Sequence, residues 1–197
     1  MSIELIVGLA NPGRDYESTR HNAGAWFVEQ LAKQLNVTLS FNTKLHAQLG
    51  QANAAGRVVR LAIPSTYMNE SGLSVGAMSR FYKIPAENIL IAHDEIDLPP
   101  GAARLKFAGG EGGHNGLRSI VQHLGSQKFF RLRLGVGHPG SSNQVADYVL
   151  KAPKKDEQLF IDQSIVEALD VVPLILNGET EKAMTTLHTN TKPSATR

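Results

Sequence analysis

Histidine, carboxylate and amide side chains that could together carry out hydrolysis occur in the first 115 residues of the chain. A neutral imidazole can take a proton from water, and a carboxylate bonded to its other ring nitrogen fixes the tautomer. Asparagine amides can hold a carbonyl group and stabilise its developing oxyanion without competing for that proton. The residues of these types at predicted strand ends and in loops are Asn11, His21, Asn69, His93, Asp94, Glu95, Asp97, His114 and Asn115.

Each of these residues taken singly also has an ordinary structural explanation. Asn11 before Pro12 suits a turn, Asn69 suits a helix N-cap, and Asn115 suits a glycine-rich loop. A metal is a rival explanation for the group, because five members could ligate a hard or borderline ion. No HExxH or comparable spacing supports a metal, so the sequence predicts no cofactor. The five potential ligands are His21, His93, Asp94, Asp97 and His114.

Two short motifs resemble known catalytic loops and fail on their context. Residues 8–13 space their glycines like a phosphate-binding loop, but Arg14 and Asp15 stand where Lys and Ser/Thr should follow. Residues 72–76 match the GxSxG nucleophile elbow, which requires Ser74 on a sharp turn between strand and helix. The pattern lies inside a helical apolar period, which favours a helix with closely packed small residues.

Apolar runs and helical periods alternate along the chain and indicate the elements that must position these side chains. Strands are predicted at residues 3–9, 59–63, 89–92 and 130–136. Six helices are also predicted: the first follows Asn22 as its N-cap, the second starts near Asn69 to Ser71, and the third follows the glycine-rich loop and ends at Gly125. The fourth is short and reaches about Leu150, the fifth is long and is bent or ended at Pro173, and the sixth runs through Leu187.

This order predicts an α/β fold: a single domain with a mixed, mostly parallel, twisted sheet flanked by helices. The domain is expected to cover residues 1–188, and residues 189–197 are expected to form a flexible tail. Ligands of open α/β sheets bind in the crevice beyond the carboxyl ends of the strands. Several of the polar residues above should therefore meet there.

Composition limits the possible chemistry and location. The chain has no cysteine, which excludes disulfides, thiol nucleophiles and thiolate metal sites. No apolar run approaches the roughly 20 residues of a membrane helix, and the first residues lack the pattern of a secretory leader. We therefore expect a cytoplasmic protein without membrane contact.

Positive charge and glycine are concentrated in the second half of the chain. The formal net charge is +2, yet residues 101–155 contain nine Lys and Arg against Glu111 and Asp147. This asymmetry favours a polyanionic partner, although folding could also scatter the charges over the surface. Ten of the 18 glycines fall between Gly101 and Gly140, where we expect mobility or close backbone approach.

Several long motifs, in register from the N-terminus to about Leu150, resemble those of the bacterial peptidyl-tRNA hydrolases. These motifs are VGLANPG at 7–13, TRHNAG at 19–24, YMNESG at 67–72, HDEIDLP at 93–99, GGHNGL at 112–117 and RLRLGVGHPG at 131–140. The resemblance implies a monomer that cleaves the ester between a peptide and the terminal ribose of tRNA, thereby recycling the tRNA.

The resemblance also implies a role for individual residues. His21 corresponds to the general base, Asp94 to its orienting partner, and Asn11 to the residue that reads the peptide. Substrate-binding positions further include Tyr16, Tyr67, Met68, Asn69, His114 and Asn115, and phosphate-binding positions for the tRNA are Lys106 and Arg133. Stacking of an unpaired nucleotide on Tyr16 or Tyr67 is expected.

Two departures and two alternative functions accompany the resemblance. Tyr67 stands where many relatives have phenylalanine, and Glu111 places an acidic group near the expected phosphate contacts, where it could weaken them. A non-catalytic RNA-binding module and a metal-dependent hydrolase remain alternatives. The first would bind RNA without deacylation, and the second would lose activity to a chelator.

Overall fold

A seven-stranded sheet forms the centre of the protein, in a computed structural model that describes residues 2–189. The spatial order of its strands is β2-β3-β4-β1-β5-β7-β6. In chain order the strands are β1 Leu5–Gly8, β2 Ser40–Asn42, β3 Ala47–Ala54, β4 Arg57–Pro64, β5 Ile89–Glu95, β6 Ala103–Phe107 and β7 Phe130–Gly135.

The four central strands run parallel, and antiparallel strands extend the sheet at both edges. β1 pairs in parallel with β4 and β5, and β5 pairs in parallel with β7. At one edge β3 and β2 are antiparallel additions, and at the other edge β6 is antiparallel to β7. The predicted mixed α/β sheet is confirmed. The antiparallel strands β2, β3 and β6 have no counterpart in the sequence analysis, because half-exposed antiparallel strands lack the continuous apolar run of buried parallel ones.

Helices cover both faces of the sheet. They are α1 Ala23–Gln34, α2 Ser71–Tyr82, α3 Asn115–Leu124, α4 Val145–Val149, α5 Lys155–Leu176 and α6 Thr180–Thr189. α3 ends at Gly125 in the left-handed conformation, as predicted. α5 continues past Pro173 for three residues, and α6 includes Thr189, so the predicted tail from 190 onward lies outside the described residues. No helix in the described part of the chain is long and apolar enough to cross a membrane.

The sheet separates two apolar layers. One layer contains Phe27 of α1 and Ile161 of α5, and the other contains Met78 of α2 and Ile120 of α3. β1 contributes to both, because Ile6 packs into the first layer and its neighbours pack into the second. β1 and β5 are therefore buried on both faces, and polar side chains of these two strands can reach a site mainly from their carboxyl ends.

Two glycines allow α1 to lie directly on the central strands. A Cβ atom at Gly24 would overlap the carbonyl oxygen of Ala92 in β5, and one at Gly8 in β1 would overlap the carbonyl oxygen of Gly24. Any side chain at these positions would push the helix outward. The close approach places the start of α1, and His21 just before it, beside the end of β5.

Candidate active site

Asp94, near the carboxyl end of β5, is the centre of the site. Nδ1 of His21 lies 2.9 Å from both carboxylate oxygens of Asp94, and Nε2 of His114 lies 2.8 Å from Oδ1. All three residues have little solvent exposure, with 3% of Asp94 accessible. The structure therefore places the predicted histidine and carboxylate in direct contact and adds a second histidine.

The backbone around His114 fixes which of its ring nitrogens carries the proton. His114 is the N-cap of α3, and its Nδ1 accepts hydrogen bonds from the backbone N–H groups of Gly116 and Leu117, at 3.1 and 3.3 Å. Nδ1 is therefore unprotonated, and Nε2–H donates to Asp94. Both nitrogens of His114 are engaged, so the predicted contact of this side chain with substrate would have to replace one of these bonds.

The proton on His21 is fixed by the same carboxylate. Because ionised Asp94 only accepts, His21 donates from Nδ1 and presents Nε2 as the acceptor. Nε2 has no hydrogen-bond partner among residues 2–189. His21 thus has the tautomer that a general base requires.

Burial and neighbouring charges have opposite effects on the pKa values of His21 and Asp94. Burial by itself would lower the pKa of His21, but the charge and hydrogen bond of Asp94 outweigh it and raise the pKa above its ordinary value. Burial would raise the pKa of Asp94, yet the charges and hydrogen bonds of His21 and His114 hold that pKa far below its ordinary value. Asp94 is therefore ionised, and its negative charge lies beside the His21 ring.

His93, one of the polar residues at the predicted strand ends, is buried away from the solvent. Its Nδ1–H donates to the carbonyl oxygen of Asp94 at 2.8 Å, and its Nε2 is buried without a partner in the described residues. Burial and the neighbouring His114 lower the pKa of His93 to about 4. The ring is therefore a neutral part of the wall behind Asp94.

Asn11 is held rigidly by its backbone and its side-chain oxygen. Asn22 accepts from the Asn11 backbone N–H and donates to the Asn11 carbonyl oxygen, both at 2.9 Å. The Asn11 side-chain oxygen accepts from the backbone N–H of Met68 at 2.7 Å. The expected N-cap bond from Asn22 to α1 does not form, because this side chain is used to hold Asn11. Sequence analysis missed this role, although Asn22 lies in the motif that contains His21.

Two cavities meet at His21. The first, of about 320 Å³, contains the peptide-reading and substrate-binding side chains predicted from the sequence, namely Asn11, Tyr16, Tyr67, Met68, Asn69 and Asn115. The second, of about 240 Å³, is lined by Asp94 and the loop before α3. Four residues line both cavities: His21, Asn115, Ala146 and Val149. The last two belong to α4, which the sequence analysis did not connect with the site.

Two tyrosines form the rim of the first cavity. Their rings lie edge to face with centroids 6.4 Å apart, and 56% of Tyr67 is exposed. Exposed aromatic faces can bind an unpaired base or an apolar side chain. The predicted stacking role of Tyr16 and Tyr67 is compatible with this placement.

A third cavity, of about 260 Å³, contains both predicted phosphate-binding residues, Lys106 and Arg133. Nε of Arg133 donates to Glu95 at 2.8 Å, which leaves the terminal nitrogens of its guanidinium group for another acceptor. Arg131 is 2% exposed and donates to the carbonyl oxygens of Gly109 and Gly110. Glu111 lines the same cavity, and its effect on phosphate binding stays a prediction.

The side chains that could ligate a metal ion are poorly arranged for that role. Of the five potential ligands, His21, Asp94 and His114 lie together, with ligand atoms within 4.8 Å of one another in the described structure. A metal on Nε2 of His114 would have to displace the proton that this nitrogen carries. The remaining Nδ1 faces two N–H donors and could not take that proton.

Ser74 is excluded as an esterase nucleophile by its position. It lies inside α2, is fully buried, and donates from Oγ to the carbonyl oxygen of Leu45 at 2.9 Å. Gly72 of the same motif contacts the backbone of Ser119 in α3, where a Cβ atom would overlap. The GxSxG spacing therefore serves the packing of α2 against α3.

The fold and this site define a class of protein: an α/β protein whose buried histidine–carboxylate pair opens on amide-lined cavities, as in hydrolases that activate water with imidazole. The family model described as peptidyl-tRNA hydrolase matches residues 5–195. A protein of Nitrosospira multiformis named peptidyl-tRNA hydrolase is 53% identical over 190 residues, which cover 95% of this chain and 98% of that protein.

Two solved structures of peptidyl-tRNA hydrolases are similar to this chain over almost its whole length. The crystal structure of peptidyl-tRNA hydrolase from Acinetobacter baumannii has a TM-score of 0.93 at 51% identity, covering 98% of this chain and 97% of the other. A complex of peptidyl-tRNA hydrolase with N-propanol gives the same TM-score, identity and coverage. The chain belongs to the peptidyl-tRNA hydrolase family, as the sequence motifs predicted.

Proposed function

We propose that this protein hydrolyses the ester that joins a peptide to the 3′-terminal ribose of tRNA, so that tRNA held by peptides released from the ribosome is recycled. One observation carries the proposal. The His21 ring is bonded to Asp94 through Nδ1, has a free Nε2, and lines both cavities. A carbonyl group bound where the cavities meet would lie beside this base.

The proposed reaction uses water as the nucleophile. Nε2 of His21 takes a proton from a water molecule, and the resulting hydroxide oxygen adds to the ester carbonyl. When the tetrahedral intermediate collapses, the bond to the ribose oxygen breaks and that oxygen takes the proton from His21. Asp94 remains ionised throughout and stabilises the imidazolium form. Atoms and charge balance without a cofactor.

The asparagines of the first cavity would hold the acyl group. Asn69 and Asn115 line this cavity and can donate to the carbonyl oxygen as it gains negative charge. Neutral amides remain donors at any pH at which His21 is a base. We assign the first cavity to the peptide for this reason, and the second to the terminal nucleotide.

Asn11 would distinguish peptidyl from unblocked aminoacyl substrates. Its side-chain oxygen accepts from the backbone N–H of Met68, which fixes the orientation of the amide and leaves its Nδ2–H₂ group as a donor for the cavity. A blocked amino group offers a carbonyl acceptor to this donor. A free ammonium group offers only further donors and would leave both sides unpaired, which disfavours it.

The third cavity would bind the nucleic acid through its cations, although the acidic Glu95, Asp97 and Glu111 line it as well. It shares Glu95 and Gly112 with the second cavity, so the three cavities follow one another across the molecule. Lys106 and Arg133 lie at the end away from the asparagines and would contact phosphates, the term that dominates affinity for nucleic acids. We further propose that the protein acts as a cytoplasmic monomer and without a metal ion.

The test compares release of tRNA from N-acetylaminoacyl-tRNA and from unblocked aminoacyl-tRNA. We expect release from the blocked substrate, little from the unblocked one, and unchanged rates in a chelator. His21→Ala should keep tRNA affinity while turnover falls by about 10²-fold or more. The control, His138→Ala, removes an exposed histidine and should retain turnover.

Each competing function has a distinct outcome in this test. Salt-sensitive tRNA binding without any deacylation would identify an RNA-binding module. Activity that a chelator abolishes and an added ion restores would identify a metal-dependent hydrolase. Turnover of His21→Ala at the wild-type rate would remove His21 from the mechanism.

A further inference from the structure

The residue before His21 is a buried arginine that contacts the opposite wall of the site. Arg20 is 5% exposed, and its Nη1 donates to the carbonyl oxygens of Tyr148 and Lys151, at 3.0 and 3.3 Å. Its backbone N–H also donates to the carbonyl oxygen of Lys151, at 3.0 Å. These carbonyls belong to the last turn of α4 and the segment that follows it.

Two further contacts hold the same guanidinium group. It lies over the ring of Tyr148, 3.8 Å from the centroid, and its Nη2 is 3.4 Å from Oε1 of Glu157. Glu157 also accepts from the backbone N–H of Lys154 at the start of α5. Arg20 thus joins the end of α4, the start of α5 and the segment that contains His21.

α4 has few means of holding its own position. It has five residues, of which only Val149 is buried. A helix of this length is unstable in isolation, because nucleation costs more than one turn of hydrogen bonds returns. Its position must therefore come from external contacts, and those of Arg20 and of the Tyr148 hydroxyl with the carbonyl oxygen of Val136 provide it.

The position of α4 determines the shape of the site. Ala146 and Val149 line both cavities that meet at His21, whereas the Tyr148 side chain lines neither. Arg20 and His21 are consecutive, so a contact between Arg20 and α4 sets the distance from this wall to the His21 ring. A displaced wall would widen the space in which the ester carbonyl must rest.

We propose that Arg20 is a positioning residue that fixes the α4 wall relative to His21, and so holds the scissile ester against Nε2. Arginine is required because its planar fork can reach two carbonyl oxygens and a carboxylate while stacking on Tyr148. Lysine would keep the charge and lose this geometry. The inference rests on the proposed function for its substrate, but not for the structural effect it predicts.

The first measurement is amide hydrogen exchange, which needs no substrate. In Arg20→Lys we expect protection of residues 145–150 to fall about tenfold or more, with β5 unchanged. Wild-type exchange over 145–150 would overturn the proposal. Because this readout is independent of catalysis, it remains decisive even if the protein failed to hydrolyse any tRNA ester.

The second measurement is the kinetics on N-acetylaminoacyl-tRNA. A wall that is ordered only part of the time raises the apparent KM by the inverse of its ordered fraction, so we expect KM to rise about tenfold with kcat nearly unchanged. The pH profile should stay in place, because the pair of His21 and Asp94 is intact. A fall in kcat at constant KM, or a shifted profile, would place Arg20 in the chemistry and contradict the proposal.

Three further variants separate positioning from general stability. Tyr148→Leu removes both the stacking surface under Arg20 and the hydroxyl bond to Val136, whereas Tyr148→Phe removes only that bond. Both effects should therefore be larger in Tyr148→Leu than in Tyr148→Phe, and this comparison tests the proposal even where Arg20→Lys fails to fold. Arg80→Lys makes the same chemical change on the exposed end of α2 and should match the wild type. Equal effects of Arg20→Lys and Arg80→Lys would also overturn the proposal.

Discussion

At the residue scale, one carboxylate accepts hydrogen bonds from two histidines and fixes the proton of each. Asp94 accepts from His21 and from His114, and each histidine has one defined proton. The pKa of Asp94 is lowered by folding, so its contribution to stability is present above the ordinary pKa of aspartate and is lost as the pH falls. The pKa of His21 is raised, so its contribution is present below pH 6.5 and is lost as the pH rises through the folded-state value.

The pH profile of Asp94→Asn tests this arrangement. In the wild type, kcat/KM should rise with pH through a value above 6.5, because His21 must lose its proton to act as a base. Without the charge of Asp94, burial is the remaining influence and lowers the pKa of His21. The rise should therefore move below pH 6.5, and the plateau should fall by about 10²-fold or more.

Asp15→Asn is the control for this prediction, because it removes the same charge from an exposed loop residue. Its profile should coincide with that of the wild type. A profile of Asp94→Asn that stays at or above the wild-type midpoint would contradict the assignment of Asp94 as the group that raises the pKa of His21.

At the scale of elements, the site depends on how closely a helix lies on the sheet. His21 is three residues before Gly24, and Asp94 is two residues after Ala92, whose carbonyl oxygen Gly24 contacts. The approach of α1 to β5 therefore sets the distance between His21 and Asp94. At the other side of Asp94, His114 caps α3 and places Asn115 at its first position.

Gly24→Ala should separate these elements. Alanine favours a helix by about 1 kcal/mol over glycine, but overpacking against a backbone carbonyl costs about 1–3 kcal/mol or more. We expect a net loss of stability in urea unfolding together with a loss of kcat as His21 moves away from Asp94. Gly76→Ala in α2 is the matched control, because its Cβ would meet the flexible guanidinium of Arg80 at 3.1 Å and the Cβ of His123 at 3.2 Å, and no backbone atom closer than 3.7 Å. Equal stability and activity for Gly24→Ala and the wild type would contradict this account.

At the scale of the whole molecule, three adjoining cavities connect the carboxyl ends of β1 and β5 with residues inside β6 and β7. Amide and aromatic groups occupy one end of this line, His21 and Asp94 its middle, and Lys106 and Arg133 the other end. This separation matches a substrate that is a peptide at one end and a polyanion at the other. The ester between the two parts would then fall at His21.

The salt dependence of tRNA binding tests the basic end of this line. Removing one phosphate contact by Lys106→Ala or Arg133→Ala should weaken binding and reduce the slope of log K against log salt by about 1. Lys33→Ala removes an exposed charge at the far end of α1 and should leave the slope unchanged. An unchanged slope for both test variants would place the phosphates elsewhere.

The sequence was sufficient for the four parallel strands and the helices, and it singled out polar residues that the structure brings together around Asp94. Continuous apolar runs identify strands buried on both faces, and polar residues directly after such runs must lie at the sheet edge where ligands bind. The three antiparallel strands escaped prediction because residues such as those of β3 alternate weakly between exposed and buried positions. Asn22 was assigned to helix capping, since no local pattern shows that its partner is 11 residues away.

Tertiary structure alone decided how these residues act on one another. Whether His114 faces substrate or Asp94, and whether Arg20 is a surface cation or a buried anchor for α4, depends on contacts between segments 20 to 137 residues apart. Residue types and spacing determine which chemistry is possible, because they set the local elements and the groups that those elements carry. Proton positions, pKa shifts and the shape of the cavities follow from distances and burial, which exist only once the chain has closed upon itself.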